Sequence, residues 1–227
     1  MHCAILRPSE PPARRFDTCI VVDVLRATTT AAVLCERTGE LYVVRTPADL
    51  AQLPARPAGY ALFSELSDIA SAIPRFDNSP VQARETDLAG RMPVLVTTNG
   101  TLAVALAAQL AREVLLASFV NLGAIVAHVA QSGATSVAVM PAGHVRKAQR
   151  HAEDDGCAES IVAHLSGVAL DIAGVIAACR ADARIVERRA REPHLDADIA
   201  LCFDLDAVPV VPRVHAADAG WFHVTRG

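Results

Sequence analysis

Three short stretches of this 227-residue chain group ionisable and hydroxyl side chains in patterns that suit chemistry on an anion. In IVVDVLRATTT (20–30) an apolar run ends at Asp23, and three threonines follow Arg26 within a few residues. A carboxylate at the end of a buried strand reaches a ligand crevice. Hydroxyls and free N–H groups at a helix start can bind an anion, and a guanidinium matches a phosphoryl or carboxylate group. The same pattern also fits a plain helix cap with an Asp23–Arg26 pair. VLVTTNGT (94–101) repeats the strand, polar turn and helix order, and Asn99-Gly100 permits a turn that aims N–H groups at one oxyanion. A generic turn capped by Thr101 has the same composition. HAEDDGCAES (151–160) puts Glu153, Asp154 and Asp155 in a row, which suits either the positive end of a helix or hard oxygen ligation of Mg²⁺.

These stretches need elements to hold them. Short aliphatic runs at 18–24, 41–44, 60–63, 93–97, 113–117, 135–140 and 197–203 read as strands. Helical patterns occupy 28–37, 47–53, 100–111, 121–131, 154–165 and 169–188, the last with a break near 180–182. CIVVDV and SVAVM are apolar at consecutive positions, as in strands covered on both faces. The expected fold is α/β, a three-layer α/β/α sandwich with a largely parallel or mixed sheet. It forms one domain over 18–227, with room for two closely packed subdomains, behind a Pro-containing flexible segment 1–17. The irregular stretch 55–91 fits a long functional loop at the carboxyl edge of the sheet.

Composition narrows the classes of function. Apolar residues make up 52% and charged residues 20%, a globular balance. No apolar run approaches the roughly 18 residues of a membrane span, and the N-terminus lacks signal-peptide order, so a cytoplasmic protein without a membrane partner is expected. The net charge of −4 speaks against an obligatory nucleic-acid partner. Arg180, Arg184, Arg188, Arg189 and Arg191 crowd one segment and read as a solvated helix face. The six cysteines are scattered without a CxxC pair and read as reduced thiols. Nucleotide-loop and HExxH motifs are absent. FDLDAV (203–208) imitates an Asp-x-Asp phosphatase nucleophile, but too little chain follows for that family's other motifs. His144 and His151 flank the expected site loop, where either a supporting role in the site or, more simply, a surface position fits them.

Taken in order, DVLRATTT, FDNSP, TTNGT, a strand ending in AGH, EDDGCAE and DADIALCFDLDAVPVV resemble the 2-phosphosulfolactate phosphatase family, from about residue 18 to residue 212. The resemblance implies an α/β/α fold and a Mg²⁺-dependent hydrolase that removes phosphate from a small phosphorylated organic acid. It places Asp23, Arg26, Glu153 and Asp154 in catalysis, with Asp23, Glu153 and Asp154 on the metal. It places Thr28, Thr29, Thr98, Asn99, Gly100 and Thr101 around the substrate, with Asn78, Ser79 and Asn121 at further matching positions. A homodimer is compatible with it.

The chain departs from the family pattern where guanidinium groups are usual. Leu66 follows Glu65 in SELSD (64–68), Leu102 follows TTNGT, and Ala158-Glu159 replaces Ala-Gly after the acidic run. A less cationic site and a less anionic substrate are expected from these changes. The alternative from another class is a non-catalytic anion-binding protein that keeps the fold.

Overall fold

Strand β2 (Phe16–Val22) shows why the chain layers as it does. Cys19 and Val21 pack on one side of it and Ile20 and Val22 on the other, all fully buried. With no solvent face available, apolar residues must occupy consecutive positions. In this computed structural model, which describes residues 1–9, 15–216 and 220–227, the first face is covered by α1 (Ala27–Thr38), α2 (Pro80–Glu85) and α3 (Gly100–Leu110). The second is covered by α4 (Leu122–Gln131), α5 (Ala152–Leu165), α6 (Ile172–Arg180), α7 (Ala183–Arg191) and α8 (Asp196–Cys202). The expected three-layer α/β/α arrangement is present.

The sheet is mixed. The remaining strands are β1 (His2–Ile5), β3 (Glu40–Val44), β4 (Tyr60–Phe63), β5 (Arg75–Phe76), β6 (Met92–Leu95), β7 (Ala111–Ala117), β8 (Ser136–Pro141), β9 (Pro212–Ala216) and β10 (Trp221–Arg226). Among the described residues they order as β1-β8-β2-β7-β9-β10-β3-β6-β4-β5. Two parallel blocks, β1-β8-β2-β7 and β3-β6-β4-β5, are joined through β9 and β10, each antiparallel to its neighbours. The two blocks therefore run in formally opposite directions. Five strand-to-strand steps separate β2 from β6, and at roughly 20–25° each the twist accumulates to more than about 100°. The β2–α1 and β6–α3 turns meet although they leave different blocks, with Gly100 packed against Ala27 and Asp23.

Several expectations are corrected. His2–Ile5, inside the segment expected to be flexible, pairs in parallel with β8 as an edge strand; Pro11 and Pro12 lie outside the described residues. The run 197–203 is not a strand but α8, because Asp196 and Asp198 favour the positive end of a helix, and a short apolar run alone does not distinguish the two. Residues 47–52 form a 3₁₀ turn with a Thr46/Asp49 capping box. The break in 169–188 falls as expected, with Asp182 capping α7. The six cysteines are unpaired, and burial pushes the Cys19 and Cys35 thiols up to about 12, so neither offers a thiolate. Among the described residues no helix is long and apolar enough to cross a membrane.

Candidate active site

The β2–α1 turn closes around Thr28. Its hydroxyl accepts from the Asp23 N–H at 2.9 Å and lies within donating distance of the Asp23 and Ala117 carbonyls, at 2.8 and 2.6 Å. Thr29 donates to the Val24 carbonyl and meets the Ser118 hydroxyl at 2.6 Å. Both threonines are buried and directed inward, so they shape the turn rather than face a substrate. The same correction applies to three more expected binding residues. Thr101 bonds back to Thr97. Ser79 caps α2 and donates to Asp198 at 2.6 Å. Asn121, fully buried, joins Ser118, Leu116 and Val210 and does not line the cleft. Polar residues beside buried strand ends satisfy backbone groups first, because leaving those unpaired costs more than a side-chain contact returns.

Of the remaining expected residues, Asp23, Arg26, Asn78, Thr98 and Asn99 line one cleft of about 180 Å³, whereas Glu153, Asp154 and Gly100 are not part of its lining. Gly100 sets its tightness. A Cβ there would lie 2.5 Å from the Ala27 Cβ and 2.8 Å from Asp23 Oδ2, so only glycine lets α3 approach the first turn. Glu65 organises the opposite wall. One oxygen accepts from the Thr98 N–H and hydroxyl at 2.7 and 2.8 Å, and the other from Asn78 Nδ2 at 3.0 Å. The Asn78 carbonyl oxygen is buried without a partner.

Three helices present their N-termini here. Arg26, Asn99 and His151 are the N-cap residues of α1, α3 and α5. All three line the cleft, and none makes a side-chain cap bond. The first-turn N–H groups and the helix dipoles therefore concentrate positive potential at its walls. Asn99 Oδ1 instead accepts from the Val145 N–H at 3.1 Å and ties this wall to the loop after β8.

Carboxylates balance that potential. Burial, followed by the facing charge of Glu65 and then of Glu153, pushes the Asp23 carboxyl up to about 7, against the Ala27 N–H at 3.3 Å and the Arg26 charge. Burial, Glu153 and Asp23 raise Asp154 well above the ordinary range, although its oxygens accept from the Val24 and Gly143 N–H groups at 2.8 and 2.9 Å. Glu153 is fully buried; one oxygen is bonded by Arg184 and the other has no partner. His151, Glu153 and Asp154 each offer a ligand atom within 4.8 Å of the others. Asp23, expected in this group, lies outside it. Its turn and the close approach of Gly100 hold it against α3. The residues fit a divalent ion: two buried carboxylates, an unpartnered oxygen and an imidazole whose protonation is disfavoured by burial and by Arg184.

Other side chains that are not among the expected site residues also line the cleft. His151 was read as a surface residue, and its position as the α5 N-cap directly before EDD is the signal that could have found it. Arg184 and Arg188 were read as part of a solvated face, yet both line the cleft, whereas Arg180, Arg189 and Arg191 are exposed. The i, i+4 spacing of the two could have marked them as one face of α7. Leu66 and Leu102 do not line the cleft; among the described residues Arg26, Arg184 and Arg188 do, together with Asp23 and Glu65. Arg26 itself is held charged by Asp77 and Asp198 at 2.7 and 2.6 Å, in spite of its burial.

Comparison with known proteins agrees with this arrangement. A sequence model of the family described as 2-phosphosulpholactate phosphatase matches residues 5–217. A protein of Gloeobacter violaceus named probable 2-phosphosulfolactate phosphatase is 31% identical over 230 residues, covering 92% of this chain and 93% of its own. Proteins of the same name from Deinococcus radiodurans and Thermus thermophilus are 39% and 40% identical over 136 and 129 residues. Those two alignments cover 59% and 56% of this chain, and 56% and 53% of the relatives, so the chain spans a little over half of their length.

Proposed function

Because the chain belongs to the 2-phosphosulfolactate phosphatase family, we propose that its cleft hydrolyses the phosphate monoester of a small anionic hydroxy acid of the 2-phosphosulfolactate kind, with Mg²⁺ as cofactor. The observation that carries this reading is the convergence of three helix N-termini, none capped by its own N-cap side chain, on a cleft backed by buried carboxylates. Such a site attracts a polyanion to its walls while keeping acid–base and ligating groups at its floor.

Each group has a task in this reading. His151, Glu153 and Asp154 hold the ion, with the unpartnered Glu153 oxygen as the least committed ligand atom. A bound divalent ion supplies Lewis acidity toward a phosphoryl oxygen. Asp23, outside that group and held by a single long hydrogen bond, takes the proton of the attacking water. The N-terminal turns of α1 and α3, together with Arg26, stabilise negative charge on the transferring group. Glu65 fixes Thr98 and Asn78 so that the α3 entry keeps its shape.

The test is hydrolysis of p-nitrophenyl phosphate and a panel of 2-phospho-hydroxy acids by protein stripped with chelator and reloaded with Mg²⁺, Mn²⁺ or Zn²⁺. Turnover is expected only after reloading, and fastest with Mg²⁺. Undiminished turnover in chelator, or full activity in Asp23→Ala, overturns the mechanism. Binding across the panel without turnover favours a non-catalytic anion-binding protein.

A further inference from the structure

The three cleft guanidinium groups differ in how much of their charge is already spent. Arg26 Nη1 is shared by Asp77 and Asp198, two carboxylates on one cation. Arg184 is bonded to the buried Glu153. Arg188 has, among the described residues, only Glu192 as an ion-pair partner. That contact runs from Nε to Oε2 at 3.8 Å, longer than a hydrogen bond, and the Glu192 side chain is 41% exposed. The terminal nitrogens of Arg188 are therefore the least neutralised donors on the cleft.

The helix that carries them is anchored. Ile185 is fully buried in the core of the second face, which fixes the rotation of α7 and keeps Arg184 and Arg188, four residues apart, on one side of it. Arg184 reaches Glu153 in the ligand group, so Arg188, four residues on, sits about 6 Å further along the axis. Two adjacent acidic groups of one small molecule can then be engaged together, one at the helix N-termini and one at Arg188. Without this cation the second group would meet Asp23 and Glu65, which line the same small cleft.

Resting on the phosphatase reading, we propose that Arg188 is the specificity residue that recognises the second, non-reacting anionic group of the substrate, a carboxylate or sulfonate, and that Arg184 positions it by tying α7 to Glu153. A guanidinium binds either group through paired N–H donors.

The experiment compares isopropyl phosphate, 2-phospholactate and 2-phosphosulfolactate with Mg²⁺-loaded wild type, Arg188→Gln and Arg188→Lys. Both kcat/KM and calorimetric Kd are recorded, and folding is checked by thermal unfolding. Wild type should prefer 2-phospholactate to isopropyl phosphate, which has a methyl in place of the carboxylate. In R188Q the preference for substrates with a second anion should fall on the order of 10–100-fold, the loss of a charged hydrogen bond. R188K should recover part of it. A fall in the ratio of 2-phospholactate to isopropyl phosphate identifies the carboxylate as the recognised group. A fall confined to the ratio of 2-phosphosulfolactate to 2-phospholactate identifies the sulfonate. An equal loss on all three esters in both variants overturns the proposal while leaving the hydrolase reading intact. If wild type turns over none of them, the hydrolase reading fails, and the same ratios taken from Kd values decide the role of Arg188.

Discussion

Two aspartates at opposite ends of β2 have opposite fates. Asp17, in the first turn of the strand's pairing with β8, accepts from the N–H and hydroxyl of both Thr135 and Ser136 at 2.8–3.0 Å. Those four donors, Thr135 first, bring its carboxyl down to about 2. Asp23, just past the other end, has one N–H at 3.3 Å, and burial with Glu65 and Glu153 nearby pushes it up to about 7. The side chain and the strand are the same. What differs is the supply of donors and of solvent, and that difference separates a carboxylate that fastens two strands from one left with a raised proton affinity on the cleft.

The largest effect expected from this contrast is at Asp23. Asp23→Asn keeps the volume but removes a proton acceptor, so turnover should fall on the order of 10²–10⁴-fold. The metal-free protein should unfold at the same temperature or higher, because a buried charge facing two other carboxylates is removed. Steady-state rates and thermal unfolding in chelator check both halves. A marked loss of stability would place Asp23 with Asp17 as a structural group and break the contrast.

The next effect is at Gly100, which holds Asp23 in place. Gly100→Ala inserts a methyl where Ala27 Cβ and Asp23 Oδ2 would be 2.5 and 2.8 Å away. The turns must separate, with an expected cost of about 1–3 kcal/mol by denaturant unfolding. Turnover should fall as well, because the carboxylate moves with the turn. Unchanged turnover at reduced stability would show that Asp23 does not depend on α3 for its position.

The sequence made the layers legible more readily than the connections. Consecutive apolar residues in CIVVDV and SVAVM reported strands buried on both faces, because that pattern is a local consequence of burial. The β9–β10 link and the edge strand at His2–Ile5 are fixed by partners more than a hundred residues away in most pairings, and no local pattern encodes them. At the site, motif residues were found but not the direction of their side chains. Thr28, Thr29, Thr101 and Asn121 carry the right chemistry and spend it on the backbone. His151 and Arg188 reach the cleft because Ile185 and the packing of α5 orient their helices.

The smallest effect belongs to Asp17, and its signature is in pH. Its folded-state value, about 2, lies below the ordinary 3.8, so the unfolded chain binds the proton more readily. The stability it contributes is present above about pH 3.8 and is lost as pH falls through about 2. Asp17→Asn should therefore unfold at a lower temperature than wild type near neutral pH, and the gap should close on acidification through that window. Six residue steps along β2, about 20 Å, separate it from Asp23, so turnover should stay within the same order. A gap that persists unchanged down to pH 2 would mean that shape rather than charge fastens β2 to β8, and the two ends of the strand would then differ in packing and not in electrostatics.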